Sequence, residues 1–276
     1  MTMKINSGFR LGGYSLTRNQ KTLAQSIERM ATGRQINRAS DDAAGMTIAN
    51  RLSSQARGMG QAMKNASDAL SLSQVADGAL GRAADLVQSI REKAVQAASA
   101  AQSPSSLGAI QSEIDQSLSQ LTDLSQQTRY NGQPLLSGRF TDKRFQVGTQ
   151  AGQEVTLSLG SVDPSELSHS ELGSLADIDV TTMEGAQAAI QVADAALGTL
   201  SAQRASLAAG MNRLESGVAN LSSTRINTLA AESEIRDLDF AEESVNLNRL
   251  KLLARARSFA QAQAGKADQQ IVDLFG

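Results

Sequence analysis

Two adjacent carboxylates, Asp41 and Asp42, stand among three guanidiniums, Arg34, Arg38 and Arg51, in and beside the run Asn37-Arg-Ala-Ser-Asp-Asp-Ala-Ala-Gly-Met-Thr-Ile-Ala-Asn-Arg51. Such a set can do two things. With Ser40, the aspartates can accept from the free amides at a helix start, where the helix dipole favours negative charge. They can also pair with an arginine of a neighbouring chain, such as its Arg38 or Arg51. Exposed pairs contribute about 0–1 kcal/mol each, so the second role would set register rather than adhesion. Glu113 with Asp115, and Glu242 with Glu243, are spaced so that they cannot face one another on a helix, and neither makes an acid–base dyad. There is no cysteine and His169 is the single imidazole, which excludes disulfides, thiolate metal sites and imidazole clusters. Gly8, Gly12 and Gly13 follow no strand and lead to no Gly-Lys-Ser/Thr, so they form no phosphate loop. Neither an enzyme nor a cofactor or metal site is expected.

The basic residues Arg249, Lys251, Arg255 and Arg257 read first as a solvated helix face. Nucleic acid is a poor partner for them, because no aromatic is interleaved and the net charge is -2 from 26 basic and 28 acidic residues. No run of 18 apolar residues occurs, and Met-Thr-Met-Lys-Ile-Asn-Ser-Gly-Phe-Arg carries no apolar stretch with a cleavage signal. Membrane spanning and classical secretion are therefore not expected.

What positions these groups is a series of long helices. Aromatics make up 3% of the 276 residues and Trp is absent, so any seam is thin and built on Ala, Leu, Ile, Val and Met. Leu16, Leu23, Ile27 and Met30 step by three and four along a first helix, and Thr32-Gly33 ends it. From Ala43 to about Ala100 a second seam runs Leu52, Gln55, Met59, Ala62, Ala66, Ala69, Ser73, Ala76, Leu80, Ala83, Val87, Ile90, Ala94, Ala97, a rod of roughly 85 Å at 1.5 Å per residue. Gly45, Gly58, Gly60, Gly78 and Gly81 each weaken it by about 1 kcal/mol relative to Ala, to be offset by close backbone packing. Ser103-Pro104 opens a return helix with Leu107, Ile110, Ile114, Leu118, Leu121 and Leu124 on one face. Turn signals then flank Arg144–Val147 and Val155–Leu159, which predict a β-hairpin, and 160–180 reads as a surface loop.

Thr181 with Glu184 forms a capping box before a second rod through Ile190, Ala193, Leu197, Leu200, Arg204, Leu207, Met211, Leu214, Val218 and Leu221. Asp239 with Glu242 starts a last helix carrying Val245, Leu252, Leu253, Ala256, Phe259, Ala260, Ala264, Ile271 and Leu274 around much of its circumference. One terminal helix cannot cover all those faces within a single chain, so both ends call for self-assembly or a partner. The fold expected is mainly α: long antiparallel coiled-coil-like rods with a small β-hairpin, plus a paired N- and C-terminal helix domain.

Five segments together resemble the bacterial flagellins: Ser26-Ile-Glu-Arg-Met-Ala-Thr-Gly-Arg-Gln-Ile-Asn37, Asp41-Asp-Ala-Ala-Gly-Met-Thr-Ile-Ala-Asn50, Ile90-Arg-Glu-Lys-Ala-Val-Gln96, Tyr130-Asn-Gly and Asp237-Leu-Asp-Phe-Ala-Glu-Glu-Ser244. The likeness covers roughly residues 1 to 160 and 180 to 276, a minimal form without the variable outer domains. It implies a subunit that self-assembles into the helical flagellar filament for motility, extracellular and secreted through the flagellar type III export apparatus rather than by a signal peptide. It assigns 1–42 with 237–276 to an inner tube, and 43–236 to a surrounding rod domain with its hairpin near 140–160. A hook-filament junction protein and a cytoplasmic coiled-coil adaptor are the alternatives.

The resemblance also implies partners. They are further copies of the chain, an export chaperone at the C-terminal helix, the export apparatus, the filament cap and hook-associated proteins, with neither nucleic acid nor membrane. Interface candidates are Leu16, Leu23, Ile27, Met30, Arg38, Asp41, Asp42, Arg51, Val245, Leu252, Phe259, Ile271 and Leu274, and Arg249, Arg255 and Arg257 would line the channel. The stretch Gln88–Val95 with Glu113 aligns with the patch that the flagellin-sensing Toll-like receptor reads. Arg91, Glu92 and Glu113 match, whereas Ser89 stands where arginine is typical and Lys93 where leucine is typical. Weak receptor activation is expected, at about 1 kcal/mol or more per lost anchor. Near the last helix Glu232 and Glu234 replace basic residues and Arg236 replaces an acid, which suggests an ion pair of reversed polarity.

Overall fold

The computed structural model describes residues 3–275, with the side chains of 3–13, 15, 16, 264, 267–269 and 271–275 outside that description. Five helices dominate: α1 (Met3–Thr32), α2 (Ala43–Ala97), α3 (Pro104–Gln127), α4 (Met183–Arg236) and α5 (Phe240–Phe275). Between α3 and α4 lie three two-stranded antiparallel sheets: β1 (Arg129–Tyr130) with β2 (Gln133–Pro134), β3 (Lys143–Gln146) with β4 (Glu154–Leu157), and β5 (Ser168–His169) with β6 (Gly173–Ser174). The chain divides into two compact units, residues 1–56 with 226–276, and residues 57–225.

The unit of residues 57–225 holds most of the buried apolar surface. Every seam position of α2 from Met59 to Ala97 is buried, including Leu80, Val87 and Ile90 at 0% exposure. Ile110, Ile114 and Leu121 of α3 and Ala189, Ala193, Leu200, Leu207 and Leu214 of α4 fill the same core. Ser103 caps α3, its side chain accepting from the Ser106 amide at 3.2 Å with Pro104 in the first turn. The hairpin pairs Lys143 with Leu157 and Gln146 with Glu154, and Asn131-Gly132 forms the turn between β1 and β2.

Three expectations for this unit need correction. The stretch 160–180 is not a surface loop: Val162, Leu167, Leu175, Ile178 and Val180 are buried, and it carries β5, β6 and a 3-10 turn at Leu175–Asp177. Its apolar residues follow neither a helical nor a strand period, which hid them. The cap of α4 is Thr182, whose Oγ1 accepts from the Gly185 amide at 3.1 Å. Thr181 instead donates its hydroxyl to Asp179 at 2.6 Å, and this hydroxyl, followed by the Thr181 amide, holds the Asp179 carboxyl below its ordinary range. Finally, a Cβ at Gly78 or Gly81 would meet no atom within 4 Å, so no close backbone packing within the chain compensates these two glycines.

In the other unit α1 and α5 pack against one another. Asn19 Nδ2 donates to the Leu250 carbonyl at 3.3 Å, and Arg34 and Asp237 form an antiparallel bridge, so the two helices run in opposite directions. The core is thin: among described residues Ile36, Ala49, Ala56 and Leu250 are its buried apolar side chains.

Candidate subunit interface and its joint

The run from Asn37 to Arg51 builds a joint between α1 and α2, and each of its charged groups has a distinct place. Gly33 leaves α1 with φ +67°, the left-handed conformation that ends a helix. Asp42 is the cap of α2: its Oδ1 accepts from the Ala44 and Gly45 amides, both at 3.0 Å. Asp41 looks backward instead, its Oδ2 accepting from the Asn37 amide at 3.1 Å and the Arg38 amide at 2.9 Å. The division of labour corrects the expectation of a shared cap, since the capping oxygen is Asp42's alone among Ser40, Asp41 and Asp42 in the bonds described. A Cβ at position 45 would lie 2.4 Å from Asp42 Oδ2 and 2.8 Å from Ile36 Cδ1, so any larger residue there would have to displace the capping carboxylate and the Ile36 side chain. That close approach gives a reason for glycine three residues after Asp42.

The Asp41 carboxyl is held below its ordinary range, first by the Arg38 amide, then by the Asn37 amide and the Arg29 and Arg38 guanidiniums, against some desolvation. Arg38 reaches α1, donating from Nε and Nη2 to Glu28 Oε1 at 3.1 and 2.9 Å. Its partner in this structure is therefore Glu28 of the same chain, while Arg51 is exposed.

A second chain segment completes the joint. Gln35 donates its amide to the Arg236 carbonyl at 2.8 Å, and Leu238 donates to the Gly33 carbonyl at 3.1 Å. Asp239 Oδ1 then caps α5, accepting from the Ala241 and Glu242 amides at 2.8 and 3.2 Å. Arg236 lies 3.6 Å from Glu232 one turn earlier, both largely buried, and this pair is the reversed-polarity partner that the sequence left open.

On α1, Asn19 and Ser26 are buried, Leu23 and Met30 are half-buried, and Ile27 faces away at 50% exposure. The side chains of Leu16, Ile271 and Leu274 lie outside the described residues. On α5 the residues split between opposite faces. Glu243 and Leu250, seven apart, are buried toward α1, whereas Val245, Leu252 and Phe259, also seven apart, are exposed at 71%, 66% and 74%. Arg249 and Arg255 are exposed and Arg257 is half-buried in a cleft of about 570 Å³ shared with Tyr14, Arg18, Asn19, Thr22, Leu250 and Leu253. Ile48, Ile226, Leu229 and Phe240 add further exposed apolar surface to this unit.

In the other unit Lys93 pairs with Glu113 across α2 and α3, and Arg91 pairs with Asp194 of α4 at 2.5 Å. Glu92 is exposed, with the Gln88 amide at 3.4 Å, and Ser89 is half-buried. Sequence reasoning missed Asp194. It also read Arg204 as part of an apolar seam, whereas Arg204 bonds Asp77 from Nε at 2.9 Å, and that carboxylate raises the affinity of the guanidinium for its proton. The signal was available: Asp77 with Arg204, and Arg91 with Asp194, are what two antiparallel helices of matched register bring together.

Among the described residues no group of three or more His, Cys, Asp or Glu could hold a metal, and no helix is long and apolar enough to cross a membrane. The grooves are open clefts without a convergent set of titratable groups. The arrangement defines a helical structural subunit, with a packed bundle and terminal helices that leave apolar faces uncovered.

The pattern described as the bacterial flagellin N-terminal helical region matches residues 14–141, and that of the bacterial flagellin C-terminal helical region matches 190–275. The chain is 36% identical to a flagellin of Halalkalibacterium halodurans over 95% of this chain and 94% of that one. It is 33% identical to a flagellin of Bacillus subtilis, over 94% and 95% respectively. A solved structure of FliC from Burkholderia pseudomallei shares the fold over 52% of this chain and 99% of that one, with a TM-score of 0.50 and 19% identity. The chain belongs to the bacterial flagellin family. It is a structural, non-enzymatic subunit of the extracellular flagellar filament, formed by self-polymerisation.

Proposed function

We propose that polymerisation is driven by the uncovered face of α5, whose Val245, Leu252 and Phe259 enter apolar contacts with neighbouring copies. The observation that carries this reading is their exposure at seven-residue spacing, opposite the face that meets α1. At about 25 cal/mol per Å2 of apolar surface removed from water, small gains per residue add up when repeated around a tube. Leu16, Leu23, Ile27, Met30, Ile271 and Leu274 contribute to the same buried layer. In this reading 1–42 with 237–276 form the inner tube and 43–236 the shell, and Asp41, Asp42, Arg38 and Arg51 set how one hangs on the other. Arg249, Arg255 and Arg257 line the channel.

Replacing Val245, Leu252 and Phe259 together by serine tests the mechanism. The soluble chain should melt as the unmodified one does, while the critical concentration for filament growth rises more than about tenfold, the equivalent of 1.4 kcal/mol per subunit. Filaments growing at the original concentration would refute it. The finer partners follow from the same reading: an export chaperone that covers α5 before assembly, the type III export apparatus, the filament cap and the hook-associated proteins. For the flagellin-sensing Toll-like receptor we propose weak recognition. It is supported by Ser89 and Lys93 at the anchor positions and by the engagement of Arg91 and Lys93 within the chain. Full potency of the purified monomer in a reporter-cell assay would contradict it.

A further inference from the structure

Charge is segregated along the α1/α5 pair. From Met1 to Ile27 the chain has four cations and no acid, and from Ser244 to Ala267 it has five cations and no acid. Between Glu232 and Glu243, by contrast, six acids stand against the single cation Arg236. The antiparallel contacts of Asn19 with Leu250 and of Arg34 with Asp237 bring the two basic stretches side by side and put the acidic one at the joint. Basic and acidic surfaces therefore lie at different heights along one helix pair.

The chain neutralises neither. Arg18, Lys21 and Lys251 are exposed, and Arg18 lines the open cleft of about 570 Å³ between the helices. With no acid within a turn on their own helices, Arg18 and Lys21, three apart, and Lys251 and Arg255, four apart, present like charges to one another, which weakens an isolated helix. At the joint end Glu234, Asp237, Asp239 and Glu242 are exposed. Asp237 accepts from the Ser233 hydroxyl and Asp239 caps α5, and these bonds to neutral donors leave both charges in place. The ion pairs among the described residues of this unit, Arg38 with Glu28 and Arg236 with Glu232, involve none of these exposed groups. Glu242 and Lys251 are separated by roughly 14 Å of helix at 1.5 Å per residue, beyond the Debye length of about 8 Å at physiological salt. Within one chain such charges are largely screened from each other.

A filament is an open, head-to-tail assembly in which one surface of a copy meets a different surface of the next. Two surfaces that each repel their own kind and attract the other meet that requirement. Basic against basic disfavours a closed two-fold dimer, and basic against acidic leaves a free surface at either end of the stack. We propose that the basic span, with Arg18, Lys21 and Lys251 at its surface, docks against Glu234, Asp237, Asp239 and Glu242 of a second copy, so that charge sets the polarity and register in which terminal units stack. This docking rests on the reading above that terminal units meet in the filament: the apolar stripe of α5 supplies adhesion, and charge supplies order.

The test uses two charge-reversed forms of the full-length chain, Arg18→Glu with Lys251→Glu, and Glu234→Lys with Glu242→Lys. All four positions are exposed or half-exposed helix surface, so both soluble forms should melt as the unmodified chain does. In low salt each form alone should need at least about tenfold more protein to make filaments, because like charges then oppose one another across the contact. Mixed in equal amounts, the two should polymerise near the original concentration, since the altered end of each meets the unaltered chemistry it needs on the other. For the unmodified chain the critical concentration should rise severalfold between about 0.02 and 0.2 M sodium chloride. Filaments of either reversed form at the original concentration, a mixture no better than its parts, or a critical concentration of the unmodified chain that does not rise with salt would each overturn the docking. Should the serine variant of Val245, Leu252 and Phe259 polymerise normally while the mixture is rescued, the adhesive reading fails and the docking stands; the reverse pattern removes the docking alone.

Discussion

The two units of this chain spend the same helical palette differently. Residues 57–225 bury Leu80, Val87, Ile90, Ile114, Leu121, Leu200 and Leu214 almost completely, with the small sheets and the 160–180 segment closing over the core. The terminal unit buries little beyond Ile36, Ala49, Ala56 and Leu250, while Ile27, Ile48, Ile226, Phe240, Val245, Leu252 and Phe259 stay at half exposure or more. One unit closes its own core, and the other leaves apolar side chains uncovered within the chain. Periodicity alone does not separate the cases, because both carry regular apolar steps. What separates them is how many faces of a helix are apolar against how many neighbours the chain supplies.

Breaking this contrast takes a deletion. Removing residues 240–276 should abolish filaments in electron micrographs while the helical melting transition of the 57–225 unit persists; filaments from that truncation would show that the ends are dispensable. Within the chain, Leu80→Ala or Leu121→Ala should lower the stability of the soluble protein by about 2–5 kcal/mol in denaturant titration. Leu252→Ala, on an uncovered face, should change it by less than about 0.5 kcal/mol.

The joint gives a finer test. Gly45→Ala gains about 1 kcal/mol of helix propensity, yet it should still lose a net amount of about 1 kcal/mol, because the new methyl collides with Asp42 and Ile36. Amide exchange in the first turn of α2 would report the loss. The smallest effect concerns pH. Because the folded turn depresses the Asp41 carboxyl, its contribution is complete above the unfolded value of about 3.9 and disappears as pH falls through the lowered one. The Asn37 and Arg38 amide resonances should keep their hydrogen-bonded positions through the ordinary carboxylate range and lose them only at lower pH.

Much of the larger unit was legible because its seam is strictly periodic: Met59 to Ala97 was read position by position, and only near the start did Ala56 rather than Gln55 turn inward. The Ser103-Pro104 cap and the β3–β4 hairpin were equally plain, since each is decided by neighbours in sequence. Segment 160–180 was not, because its buried residues answer to tertiary contacts and share no period. At helix starts, runs of polar residues blur the choice, and Asp42 and Thr182 took the cap where several candidates stood together. For the candidate interface, the identity of the apolar positions was readable but their facing was not. Ile27 and Leu23 both fit the α1 pattern, and only the position of α5 tells them apart. Nothing local in the sequence distinguishes the buried Glu243 from the exposed Glu242 beside it.

The bridge between Arg34 and Asp237, with its flanking amide bonds, joins points separated by about 200 residues. Closing so long a loop costs entropy that no contact returns until both ends are present, and contacts this distant in sequence form slowly. The bundle has long closures of its own, since Arg91 meets Asp194 and Asp77 meets Arg204 more than 100 residues further on. Bundle and terminal pair therefore both wait on α4, and the terminal pair needs α5 as well, so its contacts are the last that the chain can close.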